Sequence, residues 1–403
     1  MNPHLALVQP YPFEKLRQLF QGITPNPARH AINLSIGEPK HPTPEFIKQE
    51  LRDHLGALSS YPLTIGSEAL RGSIGAWLNQ RYALSGINID TQIIPTLGSR
   101  EALFSLAQTI INARKPNPVV VCPNPFYQIY EGAALLAGAA PYFLNTTPKN
   151  GFSMELNRLP ADVWDRTQVL FTCSPGNPHG KVTTLDEWKA VFALSDKHGF
   201  VIIADECYSE IYFDSAHPPL GALQAAQQLG RHDFKNLVVV GSLSKRSNVP
   251  GMRSGFAAGD ASIMKAFLLY RTYHGSAMSP PVQAASAVAW SDEAHVEQNR
   301  ALYKEKFKAF FDIVNPVMPL VMPEASFYFW AQTPIDDQEF VQKLYERKHV
   351  TLLPGTYLAR EAYSINPGNG FVRIALVPAL SECIEAANRI KEFVTKLSSN
   401  SYQ

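Results

Sequence analysis

Lys245 stands in an unusual setting. The apolar run Val238–Val239–Val240 ends in Gly241, and Ser242, Ser244, Lys245, Arg246, Gly251, Arg253 and Gly255 follow before a second apolar run begins. Small hydroxyls and guanidinium groups gathered around one amine suit an anion held beside a reactive nitrogen. Taken alone, the stretch reads more simply as strand, polar loop and strand, with a solvated lysine. The other apolar runs decide between the two. One is followed by "TLGSRE", where Gly98, Ser99 and Arg100 open a helix and present backbone N–H groups to an anion. Another leads into "PNPFYQIYE" with Tyr127, a third into "SPGNPHG" with Asn177, and a fourth into "ADECY" with Asp205 and Tyr208. Singly, each has an ordinary explanation: helix capping, a turn, a helix cap or a core aromatic.

Together they match the needs of one cofactor, pyridoxal 5′-phosphate. It requires an amine to bond its aldehyde, an anion cradle for its phosphate and a carboxylate facing its ring nitrogen. Tyr208 and Asn177 can hydrogen-bond its phenolic oxygen, and an aromatic face such as Tyr127 fixes the plane of the ring.

The elements that must position these residues follow from the hydrophobic pattern. Segments 67–82 and 100–113 carry apolar residues every three or four positions and predict helices. The runs 118–123, 168–175, 200–206, 236–242 and 254–260 are short, apolar and bounded by turn residues, which predicts strands buried on both faces. Their alternation with helices predicts an α/β fold whose large domain has a mostly parallel, helix-covered sheet. In such sheets ligands bind at the carboxyl ends of the strands, where the residues above fall. A long charged helix is expected over 291–314, leading into a smaller strand–helix mixture. The expected division is an N-terminal segment, 1–45, packing with the small domain; a large cofactor domain, 46–290; and a connecting helix with a small α/β domain, 291–403.

Composition narrows the partners. With 36 basic and 35 acidic residues the formal charge is only +1, which recommends neither nucleic acid nor an anionic membrane. Cys122, Cys173, Cys207 and Cys383 are widely spaced and form no zinc motif, so no metal is expected. The start carries no signal-peptide pattern and no run reaches about 18 apolar residues, so a cytoplasmic protein is expected. A nicotinamide oxidoreductase would need a G-x-G-x-x-G after a strand, and none is present. A non-catalytic regulator of the same fold would need an added DNA-binding module, for which the chain has neither spare length nor a basic patch.

The segments "SPGNPHG", "ADECYSEI" and "SLSKRSNVPGMRSGF", in that order and spacing, resemble the class I/II aminotransferases of the aspartate aminotransferase fold. The resemblance extends from "LSIGEPKHPTP" to "FVRIALV". It implies that Lys245 bonds the cofactor, Asp205 faces the pyridine nitrogen, and Asn177 and Tyr208 meet the phenolic oxygen. It further implies phosphate binding by Ser99, Arg100, Ser242, Ser244 and Arg253, and ring stacking by Tyr127. Substrate binding is implied for Gly37, Asn177 and Arg373, with Arg373 gripping the α-carboxylate. Tyr61 is implied to reach the phosphate in a partner subunit's site, hence a homodimer with shared sites. The partners implied are an amino donor and a 2-oxo acid acceptor. The wording of "PNPFYQIYEGAA" and "ASFYFWAQTP" is similar to bacterial N-succinyldiaminopimelate aminotransferases of lysine biosynthesis, with a broad alanine, aromatic or kynurenine-type activity as the runner-up.

Overall fold

In the computed structural model, which describes residues 1–400, twelve strands can be numbered along the chain. They are β1 (Ile32–Asn33), β2 (Ile93–Thr96), β3 (Val119–Asn124), β4 (Ala140–Asn145), β5 (Thr167–Cys173), β6 (Val201–Asp205), β7 (Leu237–Ser242), β8 (Gly255–Gly259), β9 (Tyr328–Gln332), β10 (Val350–Thr351), β11 (Leu353–Pro354) and β12 (Phe371–Ala375). The large sheet has the order β2-β8-β7-β6-β5-β3-β4. Alternation along each strand explains why it must be covered twice: Val119 and Val121 enter one core, while Val120 and Cys122 enter the core on the opposite face. Ile202 and Ala204 against Ile203, and Val239 against Val238 and Val240, repeat the arrangement.

Six strands run parallel and β8 runs against both its neighbours. The sequence pattern does not reveal that reversal. The connection from β7 to β8 holds only a four-residue helix, Leu243–Arg246, and one 3₁₀ turn, Pro250–Met252. This is not the full crossover helix that a parallel return normally uses. The connection is therefore a wide hairpin, and Lys245 stands on its first turn.

The C-terminal elements form a three-stranded antiparallel sheet, β11-β12-β9, and β1 pairs in parallel with β10. A third core joins Leu16, Ile32 and Leu34 to residues of the segments 303–344 and 350–394. The expected helix over 291–314 is a single helix, Ala294–Val314, separated from the preceding Pro280–Ser291 helix by Asp292 and Glu293. Asp292 Oδ1 accepts the His295 N–H (3.0 Å), a local cap that interrupts the run. The expected small domain extends over 401–403, which lie outside the described residues. No helix among the described residues is long and apolar enough to cross a membrane.

Candidate active site

A cavity of about 390 Å³ opens at the carboxyl ends of the parallel strands. Its lining brings together Lys245, Asp205, Tyr208, Asn177, Tyr127, Ser99, Arg100, Ser244, Arg253, Gly37 and Arg373, residues spread along the chain from 37 to 373.

Lys245 is placed by a cap. Ser242 Oγ accepts the Ser244 N–H (3.1 Å) and donates to the Ser254 carbonyl (3.3 Å), closing the turn at the end of β7. Asn299 Nδ2 then holds the Lys245 carbonyl at 3.2 Å. Burial lowers the pKa of the ammonium; Arg253 and Arg100 add to this, while the Asp205 carboxylate opposes it. The amine is thereby biased towards its neutral, nucleophilic form.

Asp205 ends β6 and is buried, with Tyr130 Oη donating to Oδ2 at 2.7 Å and the Cys207 N–H to Oδ1 at 3.3 Å. Burial raises its pKa against these two donors. A cationic ring nitrogen would compensate such a carboxylate.

The anion cradle is assembled from backbone. Gly98 (φ 81°) caps the helix Ser99–Ile110, and a Cβ there would lie 2.5 Å from Arg253 Nη2. Arg253 itself sits in the left-handed region (φ 52°), its guanidinium held by the carbonyls of Pro250 (3.0 Å) and Leu97 (3.2 Å). Ser99, Ser244 and Arg253 thus line the cavity with N–H, hydroxyl and guanidinium donors.

Two of the expected phosphate residues make other contacts in this structure. Ser242 is not among the residues lining the cavity, and its hydroxyl serves the cap. Arg100 does line the cavity, but its Nε donates to Tyr127 Oη (2.8 Å), so its side chain buttresses the aromatic wall. Tyr61 is fully exposed and outside this chain's cavity.

Arg373 is buried on β12. Its Nη1 donates to Asn177 Oδ1 (3.1 Å), its Nη2 to the Ser35 carbonyl (2.9 Å), and its guanidinium lies 4.3 Å from the Tyr328 ring centre. Tyr328 is opposite Ala375 in the β9–β12 register, so it is the diagonal neighbour of Arg373 on the same face. Its hydroxyl meets that of Tyr208 at 3.0 Å. A Cβ at residue 37 would overlap the Tyr328 hydroxyl, which explains the glycine there.

The sequence gives little warning of Tyr11, Glu38, Gln128 and Tyr328, which line the cavity, or of Tyr130, which contacts the lining residue Asp205. Tyr130 and Tyr328 look like core aromatics, and only the i,i+3 spacing of Tyr127 and Tyr130 hints that both belong to one wall.

The chemistry of this donor set fits pyridoxal phosphate: a deprotonation-prone amine, a buried carboxylate, phenols, an aromatic face and a three-sided anion cradle share one cavity. Among the described residues no cluster of three or more His, Cys, Asp or Glu side chains is placed to hold a metal ion.

Residues 29–390 match the family model of aminotransferase class I and II. The chain belongs to that family. The class I and II aminotransferases depend on pyridoxal phosphate, as the cavity suggests. An aminotransferase from Neisseria meningitidis is 51% identical, with a TM-score of 0.95 over 98% of this chain and 100% of that one. LL-diaminopimelate aminotransferase of Desulforudis audaxviator is 30% identical over 396 residues, 95% of each chain. A probable N-succinyldiaminopimelate aminotransferase from Thermus thermophilus is 26% identical, with a TM-score of 0.82 over 96% of this chain and 99% of that one.

Behind Asp205, Glu206 is buried, accepting from the Ala222 N–H (2.6 Å) and Tyr82 Oη (3.0 Å). Burial pushes its carboxyl up to about 7. The folded state therefore holds this proton more tightly than the unfolded chain. The resulting stability is complete below about pH 4.5 and is lost as pH rises towards 7, amounting to about 3 kcal/mol. Glu206→Gln is expected to flatten the fall in denaturation midpoint between pH 5 and 7, measured by urea unfolding. An unchanged slope would mean that Glu206 ionises normally in the fold.

Proposed function

We propose that this aminotransferase moves an amino group between glutamate and N-succinyl-2-amino-6-oxopimelate, forming N-succinyl-LL-diaminopimelate for lysine biosynthesis. The observation that carries this reading is the outer wall of the cavity. Beyond Lys245 and Arg373 it continues past Tyr11, Phe13, Ile36, Gln128, Leu353 and Leu358, a mixed polar and apolar surface suited to a long amphipathic arm. The name of the Thermus thermophilus relative supports the same substrate class.

In this reading Arg373, steadied by Asn177, pairs with the α-carboxylate and so fixes the α-hydrogen towards Lys245. Lys245 would hold the cofactor through its amine, and the same amine, when free, would take the proton from the α-carbon. When bound, pyridoxal phosphate supplies an electron-withdrawing ring that acidifies the α-C–H bond. Asp205 would keep the ring nitrogen protonated, Asn177 and Tyr208 would hydrogen-bond the phenolic oxygen, and Tyr127 would supply an aromatic contact to the ring. Ser99, Ser244 and Arg253 would hold the phosphate. A second copy of the chain would bring Tyr61 to this site and cover the exposed Leu55, Leu58 and Leu63.

A second reading has the distal amine free, as in LL-diaminopimelate. Glu38 in the cavity wall favours it, since a carboxylate suits an ammonium, and so does the name of the Desulforudis audaxviator relative. Glu38 is, however, already ion-paired with Lys40. A donor panel with 2-oxoglutarate separates the readings. The succinylated substrate is expected to exceed alanine, phenylalanine and kynurenine in kcat/KM by at least about a hundredfold, because a site built for its polar arm leaves groups unpaired with short donors. Preference for free LL-diaminopimelate would select the second reading, and equal turnover of the short donors would overturn both.

A further inference from the structure

We propose that His41, acting through Asn299, is a positioning residue for Lys245, and that it ties the placement of that lysine to the segment against which Arg373 is held. The proposal rests on the roles given above to Lys245 and Arg373, whichever long donor the enzyme takes.

A single carbonyl carries the first half of the argument. Lys245 stands in a four-residue helix, Leu243–Arg246, and so short a helix leaves its last carbonyls without partners of its own. Asn299, buried on the helix Ala294–Val314, supplies one: its Nδ2 donates to the Lys245 carbonyl at 3.2 Å. A carbonyl can only accept, so the amide orientation is fixed and Asn299 Oδ1 is the acceptor on the other side. Two side chains meet that oxygen, Asn248 through Nδ2 at 3.1 Å and His41 through Nδ1 at 2.7 Å. The imidazole is therefore the tautomer with its hydrogen on Nδ1. Its ring packs on Tyr303, 4.6 Å between centres and one turn beyond Asn299 on the same helix. Burial lowers the His41 pKa and Lys306 adds to this, against the Asn299 hydrogen bond, so the ring donates as a neutral group.

The other end of the segment is the substrate site. Ile36, Gly37 and Glu38 line the cavity, and the Ser35 carbonyl accepts from Arg373 Nη2 at 2.9 Å. Pro39 stands between Glu38 and His41, and Pro42 and Pro44 follow, so the backbone from the cavity wall to the imidazole has few soft torsions. Thr43 adds a second tie, its hydroxyl donating to the Asn248 carbonyl at 2.8 Å. One stiff segment thus touches Arg373 at residue 35 and the lysine turn, through Asn299 and Asn248, at residues 41 and 43. A carboxylate seated on Arg373 keeps His41 on Asn299, and Asn299 keeps the lysine turn in register with the α-hydrogen. A slightly misplaced catalytic group loses rate more than it loses binding.

The test compares His41→Phe, which keeps a ring against Tyr303 but has no donor, with His41→Asn, whose amide nitrogen can stand where Nδ1 stands. His41→Phe is expected to lower kcat about 3- to 10-fold, the worth of one hydrogen bond, with KM changed less than about twofold, and His41→Asn to restore most of the loss. A second measurement needs no turnover: the pH midpoint of the bound cofactor's absorbance change, without substrate. It is expected to rise by about half to one unit in His41→Phe, because a loosened lysine samples better-solvated positions, and to return in His41→Asn. The titratable groups facing Lys245, namely Cys207, Asp205, Arg253 and Arg100, are left in place by both substitutions. An unmoved midpoint in His41→Phe would overturn the proposal, and so would a fall in kcat that His41→Asn, equally stable to heat, does not recover. Lys245→Ala separates the underlying reading. If the midpoint survived in Lys245→Ala, the role given to Lys245 would fall and the proposal with it. If it vanished there and stayed unmoved in His41→Phe, the proposal alone would fall.

Discussion

Lys245→Ala is expected to reduce transamination by at least about 10⁴-fold while the protein still binds pyridoxal phosphate. The size follows from losing two roles at once, the covalent attachment and the proton carrier, each among the larger contributions a side chain makes. Retention of the cofactor follows from the cradle, which does not depend on the lysine: Arg253 is held by the Pro250 and Leu97 carbonyls, and Ser99 by its helix. The one-turn helix survives as well, since its cap is Ser242 and its brace, Asn299, holds the backbone carbonyl of residue 245. Turnover assays with an equilibrium measurement of cofactor binding decide the matter. Near-normal turnover would remove Lys245 from the mechanism, and loss of cofactor binding together with activity would show that the cradle depends on the covalent bond.

Asp205→Asn is expected to lower kcat by about 10²- to 10³-fold with little change in thermal stability, the range found when one preorganised electrostatic partner is removed. The amide keeps the volume and one acceptor, so the Cys207 N–H or Tyr130 Oη remains satisfied. What it loses is the negative charge, which burial makes expensive and which only a cationic partner justifies. The cofactor ring nitrogen is that partner in the proposed site. An unchanged rate would reduce Asp205 to a structural acceptor for Tyr130. A large drop in melting temperature would point the same way.

What could be read from the sequence was the part of the fold with a strong local signature. Buried strands such as β3, β5, β6 and β7 are continuous apolar runs, and the residues at their carboxyl ends are polar types that have no place in a core. Edge strands lack that signature: β2 contains Pro95, and β4 begins with the exposed Ala140 and three half-buried residues, so neither stands out from a loop. The reversal of β8 depends on the length of its connection rather than on its own composition. Ser242 is ambiguous for a subtler reason: a serine before a turn can cap the turn, bind a ligand or do both, and its hydrogen bond from the Ser244 N–H shows the cap. Tyr130 and Tyr328 escaped notice because a buried phenol beside a carboxylate and one inside a core are the same letter in the same apolar context. Arg373, with its flanking valine and isoleucine, would have passed for a surface strand residue without the family resemblance.

Tyr208 belongs by chain position to the segment after β6, yet its ring packs in the core built by the C-terminal strands and helices, against Phe327, with its hydroxyl on Tyr328. A phenol lining the cavity is thus seated by residues that come more than a hundred positions later. Recombination between related enzymes at the tempting boundary before residue 294 would pair one parent's Tyr208 with another parent's socket. The C-terminal third is consequently a poor exchangeable cassette, and libraries that diversify its aromatic core will retune the reaction centre along with the packing.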